Sequence, residues 1–514
     1  MKNDHYVFLA LCAISTGAMS ANESVIGEPG CQVVNPSPRP NERIKWSGGC
    51  RDGYADGEGV LEWFLDDALA QRYEGRMVAG KHEGRGIQTT LVAGGGRYEG
   101  EFRDNRRHGL GTQTHSNGQT ITGRFEYGHA IGEVTVQGPG SSRYQGGWLH
   151  GRPEGRGRMD AGNGASFEGS FKDGMPKGRG VLTTMSGQTV SGEFAGQEVV
   201  GTAVVSGPGA FKYEGGWLHG QPHGAGRATY ENGTTYEGGF NNGLREGTGI
   251  GRHPNGSKME GQWKADLLEG RGIISSAEGG RYEGEVLHGQ AHGKGRSVDG
   301  HGLSYDGDWV ANQQEGQGRM TLRDGSTYSG SFKAGMFDGQ GSMRYADGAQ
   351  YTGDFKAGKR NGRGKMIDPA GNVNEGEWAN DMLDGQGSTH RIDGQSYEGG
   401  WRAGFHHGRG VHVFPDGRIE GTWENGALHG QATWKGTDGG VAVMNWVHGK
   451  RDGRATLTYA DKSQATGNYV QDQFDGLWIV TRPDGTRIEF EYEMGRAKRS
   501  SAPLTPFPMP GSGV

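Results

Sequence analysis

A glycine returns every 23 residues in this chain, and that recurrence limits the fold more than any other feature. It occupies positions 100, 123, 146, 169, 192, 215, 238, 261, 284, 307, 330, 353, 376 and 399 without a slip. The strings Tyr98-Glu99-Gly100-Glu101-Phe102, Tyr213-Glu214-Gly215-Gly216-Trp217 and Tyr397-Glu398-Gly399-Gly400-Trp401 around it are one pattern. Earlier copies centre on Gly48 and Gly75 at looser spacing, and later ones on Gly421, Met444 and Gly467, about nineteen in all. A fixed period of this length marks a repeat array, in which each unit packs only on its neighbours.

Each unit divides into two short strands. Tyr98, Gly100 and Phe102 alternate and share one face of a sheet. A polar turn, 104–108, leads to a second strand carrying Gly109-x-Gly111, where absent side chains leave room for neighbouring rings. Dipeptides such as Asn117-Gly118, Asp324-Gly325, Asp347-Gly348, Asp393-Gly394 and Asp416-Gly417 close the units. They are the expected type I′ turns, which need positive φ at both central residues. No unit has a helix-length apolar stripe at 3.6-residue spacing. The 103 glycines in 514 residues do not recur every third position, so collagen is excluded. The 17 Phe, 12 Trp and 18 Tyr spread along the chain argue against disorder. A net charge of −6 gives no basic footprint for nucleic acid.

The pattern of Tyr-x-Gly-x-Trp/Phe, a polar turn, Gly-x-Gly and a closing glycine resembles the MORN repeat, over residues 44–480. The resemblance implies an all-β fold: an elongated, single-layer, twisted antiparallel meander of about nineteen β-hairpins with a shallow aromatic-lined groove. Phe167, Val190, Met259, Asn374 and Ile419 replace the leading Tyr, Val190 to Ala203 lacks the Gly-x-Gly pair, and the copy at Met444 lacks the central glycine. Similarity at a 69-residue offset between 144–151 and 213–220 is read as duplication of a three-repeat block.

Outside the array, residues 1–21 have the make-up of a secretory signal: Lys2, the apolar run 7–13, then Ala18-Met19-Ser20-Ala21. Residues 22–43 open an N-terminal segment that runs into a loop between Cys31 and Cys50. In an oxidising compartment that pair forms a disulfide, the alternative being two free thiols of a cytosolic protein. The segment is expected to cap the first strand. Residues 481–496 are expected to supply a C-terminal capping strand, and 497–514, rich in proline, to be disordered.

Motifs that demand fixed spacing are missing: there is no GxGxxG, no GK[ST] loop, no GxSxG and no HExxH. No catalytic residue, cofactor or metal site is therefore expected. His150, His219 and His288, and His108, His223, His292 and His407, recur as polar turn residues. Glu99, Glu168, Glu214, Glu237, Glu283 and Glu398 alternate away from the rings as a solvated face. The candidate binding residues are the rings, taken as partly exposed in a single-layer sheet: Tyr98, Phe102, Tyr144, Trp148, Tyr213, Trp217, Tyr236, Phe240, Tyr397 and Trp401. The expected function is a non-catalytic scaffold for a protein partner in the cell envelope, periplasmic or secreted. Membrane phospholipid binding and glycan or cell-wall binding are the alternatives.

Overall fold

The computed structural model describes residues 24–92 and 94–501. The expected signal segment, 1–21, and most of the 497–514 tail lie outside the described residues. Two compact units divide the chain, one through Leu267 and one from Leu268. In both, strands pair antiparallel with their neighbours in sequence, hairpin after hairpin. The described chain is almost entirely strand, without an α-helix and not closed into a barrel. Glu42–Trp46 pairs only with Gly57–Leu65, and Arg496–Ser500 only with Arg487–Glu493, among the described residues.

One packing unit repeats. In the hairpin of Gly96–Arg103 and Arg106–His115, Gly100 lies opposite Gly111, and the Tyr98 ring covers the pair. A Cβ on Gly111 would stand 2.6 Å from Cζ of Tyr98. The same holds for Gly86 under Tyr73 and Gly364 under Tyr351, each 2.6 Å from a ring carbon. Beyond the glycine pair the second strand bulges, three of its residues spanning the stretch taken by one of the first strand, such as Glu101 or Gly147. The tyrosine hydroxyl donates to that residue's carbonyl: Tyr98 to Glu101 at 3.0 Å, Tyr144 to Gly147 at 2.7 Å, Tyr351 to Asp354 at 3.0 Å. The hydroxyl of a buried ring thereby has its acceptor.

The two glycines of Gly-x-Gly therefore serve different ends. Gly111 makes space for the ring. Gly109 takes φ +61°, and its counterparts through Gly476 also have positive φ, so that residue turns the second strand through the bulge. This corrects the expectation that both positions exist to clear rings.

Rings interlock between hairpins. Tyr98 meets Phe102 of its own repeat edge-on at 5.1 Å and Phe125 of the next at 4.9 Å. Tyr328 does the same with Phe332 and Phe355, both at 5.1 Å. Trp309, Trp378 and Trp401 reach back to donate to the carbonyls of Gly295, Gly364 and Gly387 in the preceding hairpin.

The departures from the pattern conserve volume. Where Val190 replaces tyrosine, Ala203 fills the second-glycine position. Where Ala442 does, Met444 and Ala455 fill the space. Where Ala465 does, Trp478 lies over Gly467 from the opposite strand, and its indole N–H donates to Asn468 at 2.9 Å. Asn468 is the bulge carbonyl of that copy, so tryptophan supplies both the ring and the hydrogen bond. Trp46 acts likewise over Gly48 and Gly59, donating to Gly49 at 2.8 Å, which makes the early copy at Gly48 a true one.

Two turn types separate the hairpins, in the reverse of the expected places. The polar turn is the type I′ turn, with positive φ at both residues: Asp104 and Asn105, His150 and Gly151, Asp173 and Gly174. At the closing dipeptides only the glycine has positive φ, as at Gly118 and Gly325, after a turn closed by Gly118 to His115 and Gly325 to Leu322. The longer loop there needs one left-handed residue, not two. Gly417 departs from both and joins the strand Gly417–Glu424.

Cys31 and Cys50 are disulfide-bonded with Cα atoms 5.3 Å apart. Their segment folds into a four-stranded sheet that includes a parallel pairing of Cys31–Asn35 with Gly53–Ala55. It hydrogen-bonds to hairpin turns, through Val34 N–H to Gly80 and Asn105 Nδ2 to Val34, and adds no strand to the ladder at Glu42–Trp46. At the other end, Met494 and Gly495 form another two-residue turn of positive φ. The last strand is consequently Arg496–Ser500, which takes residues expected to be disordered into the sheet.

Gly364→Ala is expected to destabilise its hairpin by about 1–3 kcal/mol through overpacking against Tyr351. Tyr351→Val in the same background should recover part of that loss, reproducing the Val190 and Ala203 pairing. Amide exchange over residues 350–367 measures both, and strictly additive effects would refute the shared-volume account.

Candidate functional site

The ten rings singled out from sequence are not a surface. Tyr98, Tyr144, Tyr213, Tyr236 and Tyr397 are at most 2% exposed, and Phe102, Trp148, Trp217 and Phe240 are also buried. Only Trp401 is partly buried, packed against Tyr397. Each tyrosine sits on its glycine pair, Tyr98, Tyr236 and Tyr397 between two edge-on rings and Tyr144 and Tyr213 between one edge-on and one tilted ring, and several lie under a further side chain from the second strand. That covering position recurs at 23-residue spacing with varied chemistry. His82 stacks on Tyr73 at 3.8 Å, Phe337 on Tyr328 at 4.0 Å and His406 on Tyr397 at 3.5 Å. The guanidiniums of Arg245 and Arg360 lie 5.6 and 5.7 Å from the Tyr236 and Tyr351 centroids. Burial pushes the phenols of Tyr98, Tyr213, Tyr236, Tyr351 and Tyr397 up to about 12.

A further set of carboxylates is committed to the fold. Carboxylates one residue after the covering position accept a turn N–H of the next hairpin, nineteen residues on. Examples are Glu154 from Asp173 at 3.0 Å, Glu246 from Ala265 at 3.1 Å, Glu315 from Ala334 at 2.9 Å and Asp384 from Ala403 at 3.0 Å. His108, His223, His292 and His407 occupy this stapling position and are half-buried, whereas the turn residues His150, His219 and His288 are exposed. Glu99, Glu168, Glu214, Glu237, Glu283 and Glu398 are exposed, as the alternation requires.

What remains open is the face opposite the rings. In the first unit it forms a concave groove of about 1150 Å³ over the strands between Glu133 and Gly215. The floor is backbone of the paired glycines. The walls carry Arg156, Arg158 and Arg179 against Glu133, Glu168, Glu193 and Glu214. Arg158 bridges Asp160 at 3.1 Å and Glu168 at 3.3 Å. Among these charges Val181, Val200 and Val204 are 39, 47 and 51% exposed. Sequence reading missed this patch, although a signal was present: Val181 and Val204 stand where other copies have Arg158, Arg227 and Lys365, and Val200 where others have Glu154 and Glu246.

A second open feature lines the hairpin turns. At several turns the last cross-strand pair combines an exposed apolar with a polar side chain. Examples in the second unit are Leu287 with Gln290, Lys333 with Met336, Arg402 with Phe405 and Val447 with Lys450.

A glycine-paired hairpin array with buried rings and variable outer positions defines a repeat scaffold of the interaction-module class. The chain belongs to the MORN repeat family. The family model matches residues 98–120, 144–166, 167–189, 213–235, 236–258, 260–281, 282–300, 305–327, 328–350, 351–373, 375–396, 397–417, 420–441 and 445–464. Such repeats are generally non-catalytic modules for protein or membrane interaction. The intervening 121–143 and 190–212, where Ile121 and Val190 stand for tyrosine, are hairpins of the same kind. No curated protein matches the chain significantly. Among solved structures, the TCP10 domain of Danio rerio CPAP is 15% identical over 42% of this chain and 90% of its own, with a TM-score of 0.21. The SAS-4 TCP domain of Drosophila melanogaster, in complex with a proline-rich motif of Ana2, is 12% identical over 33% and 86%, with a TM-score of 0.20. Scores this low carry no conclusion about this chain.

Burial pushes His82 down to about 3, and burial, then His412 and Arg391, push His406 down to about 4. Below the ordinary histidine value near 6.5 the unfolded chain binds protons that the folded chain refuses, so stability falls as pH drops from about 6.5 toward 4. Thermal melts across that range should show the loss. His406→Phe, copying Phe337 over Tyr328, should make the pH dependence shallower; an unchanged slope would show that His406 is not a source of it.

Proposed function

We propose that this chain is a non-catalytic scaffold that binds a protein partner in the cell envelope through the groove opposite its rings. The observation that carries the reading is the exposed Val181, Val200 and Val204 patch within a frame of both charge signs. Apolar area at the centre and a polar rim are the usual anatomy of a protein interface. The Cys31–Cys50 disulfide favours an oxidising compartment, hence a periplasmic or secreted protein. Glycan binding loses its main support, because the ring faces it needs are buried.

The groove reading is tested by cross-linking and affinity capture from the native envelope, with wild type beside Val200→Asp/Val204→Asp. Both positions are exposed, so the fold should survive, which circular dichroism checks. The double variant is expected to lose the cross-linked partner. Equal recovery by both proteins, or no partner with either, would sink the reading.

A second reading, binding to a phospholipid surface, draws on the turn edge, where Met336, Met382 and Phe405 are 48, 45 and 59% exposed beside Lys333 and Arg402. Apolar side chains interleaved with cations suit an anionic interface. Co-sedimentation with phosphatidylserine-containing vesicles at low salt should then fall for Met336→Ser/Met382→Ser/Phe405→Ser. Absence of a bound wild-type fraction would remove this reading.

A further inference from the structure

The nineteen-residue staple between hairpins has a consequence at one place in the second unit. Where other copies set a carboxylate against the next turn, His429 stands in the stapling position and His448 in the turn. Their rings lie 5.1 Å apart at 45°. The connection into this hairpin is one residue short, since Gly421 follows Gly399 by 22 residues rather than 23, while the hairpin itself keeps the usual spacing. Its second strand is broken into Ala427–Leu428 and Gly430–Gly436, and His429 falls in the gap, its N–H bonded to Thr422 at 2.8 Å. Glu424, the last residue of Gly417–Glu424, lies alongside, with Oε2 3.8 Å from Nδ1 of His429.

Glu424, His429 and His448 offer one ligand atom each within 4.8 Å of one another, the one such group of three among the described residues. Nδ1 of His429 is shut off from solvent and has no hydrogen-bond partner, 3.8 Å being too long for one. His223 and His407 carry a similarly enclosed Nδ1, but the first residue of the next turn is Asn242 or Asn425, so neither gains a second imidazole. His288 faces Glu269 at 3.6 Å without a third ligand.

We propose that Glu424, His429 and His448 form a binding site for a divalent transition metal of the zinc class. Two imidazoles and a carboxylate suit Zn²⁺, Ni²⁺ or Cu²⁺ and not the oxygen-loving Mg²⁺ or Ca²⁺. Zinc holds its nitrogen ligands at about 2.0–2.1 Å, closer than the present spacing. Glu424 and His448 are exposed and free to rotate inward, while half-buried His429 fixes the position. Three protein ligands leave a fourth coordination place for water or for a side chain of another molecule. The metal clips consecutive hairpins together where the ladder is interrupted. This differs from the expectation that no metal site exists, because the staple register and the hairpin turn, neither visible as a sequence motif, bring the ligands together.

The test is titration calorimetry of the full-length, tag-free protein with Zn²⁺ at neutral pH, repeated on His448→Ala, Glu424→Gln and His288→Ala. These side chains are exposed, so melting curves should confirm intact folding. Wild type and His288→Ala are expected to bind one Zn²⁺ alike. His448→Ala and Glu424→Gln should bind at least about tenfold more weakly, since even outer-shell changes cost that much. Co²⁺ in the same site should show ligand-field absorption that His448→Ala lacks. No saturable Zn²⁺ binding by wild type, or binding that both ligand variants retain in full, would overturn the proposal.

Discussion

Everything in this sheet depends on a tyrosine lying flat over two glycines while its hydroxyl donates to the carbonyl of the first-strand residue that faces the bulge. The three parts work together. The glycines make room for the ring, the carbonyl beside the bulge accepts from its hydroxyl, and the ring gives apolar cover to a sheet one layer thick. The substitutions inside the array show that the requirement is physical and not a matter of residue identity. Tryptophan performs the same task over Gly467 and Gly48, with an indole N–H in place of the phenol. Where no ring is present, alanine, valine or methionine fills the volume.

Function has been displaced accordingly. A ring committed on its lower face, its edges and its upper face has no surface left for a ligand. The positions free to vary are those that the unit does not use: the covering side chain, the residues opposite the rings and the pair beside each turn. A groove with exposed valines and an apolar and basic turn edge arise on the last two sets, while the histidine pair takes a stapling position and the turn it faces. Each comes from changing a position whose geometry the fold already holds.

The repeat, its period, its strands and the disulfide pair were legible in the sequence because each is periodic or has a single partner. The roles within Gly-x-Gly were not, since a glycine needed for positive φ and one needed for clearance look the same in sequence. Nor were the turn types: Asn-Gly and Asp-Gly suit any left-handed position, and loop length decides which one they fill. Reading the rings as exposed failed because alternation fixes which face a side chain takes and says nothing about what covers it. The stapling role of Glu154, Glu246 and Glu315 was not legible either, since a bond to a turn nineteen residues away has no local signature.

The sequence by itself determined that this chain is an array of β-hairpins of 23 residues, and which side chains share a face, because period and alternation are properties of the backbone. Only the tertiary structure decided which of those faces is closed. It also decided that Val181, Val200 and Val204 meet in one groove, and that Glu424, His429 and His448 converge. Closure and convergence depend on how one hairpin lies against the next, and that is set by bulges and turns whose effects are felt a repeat away.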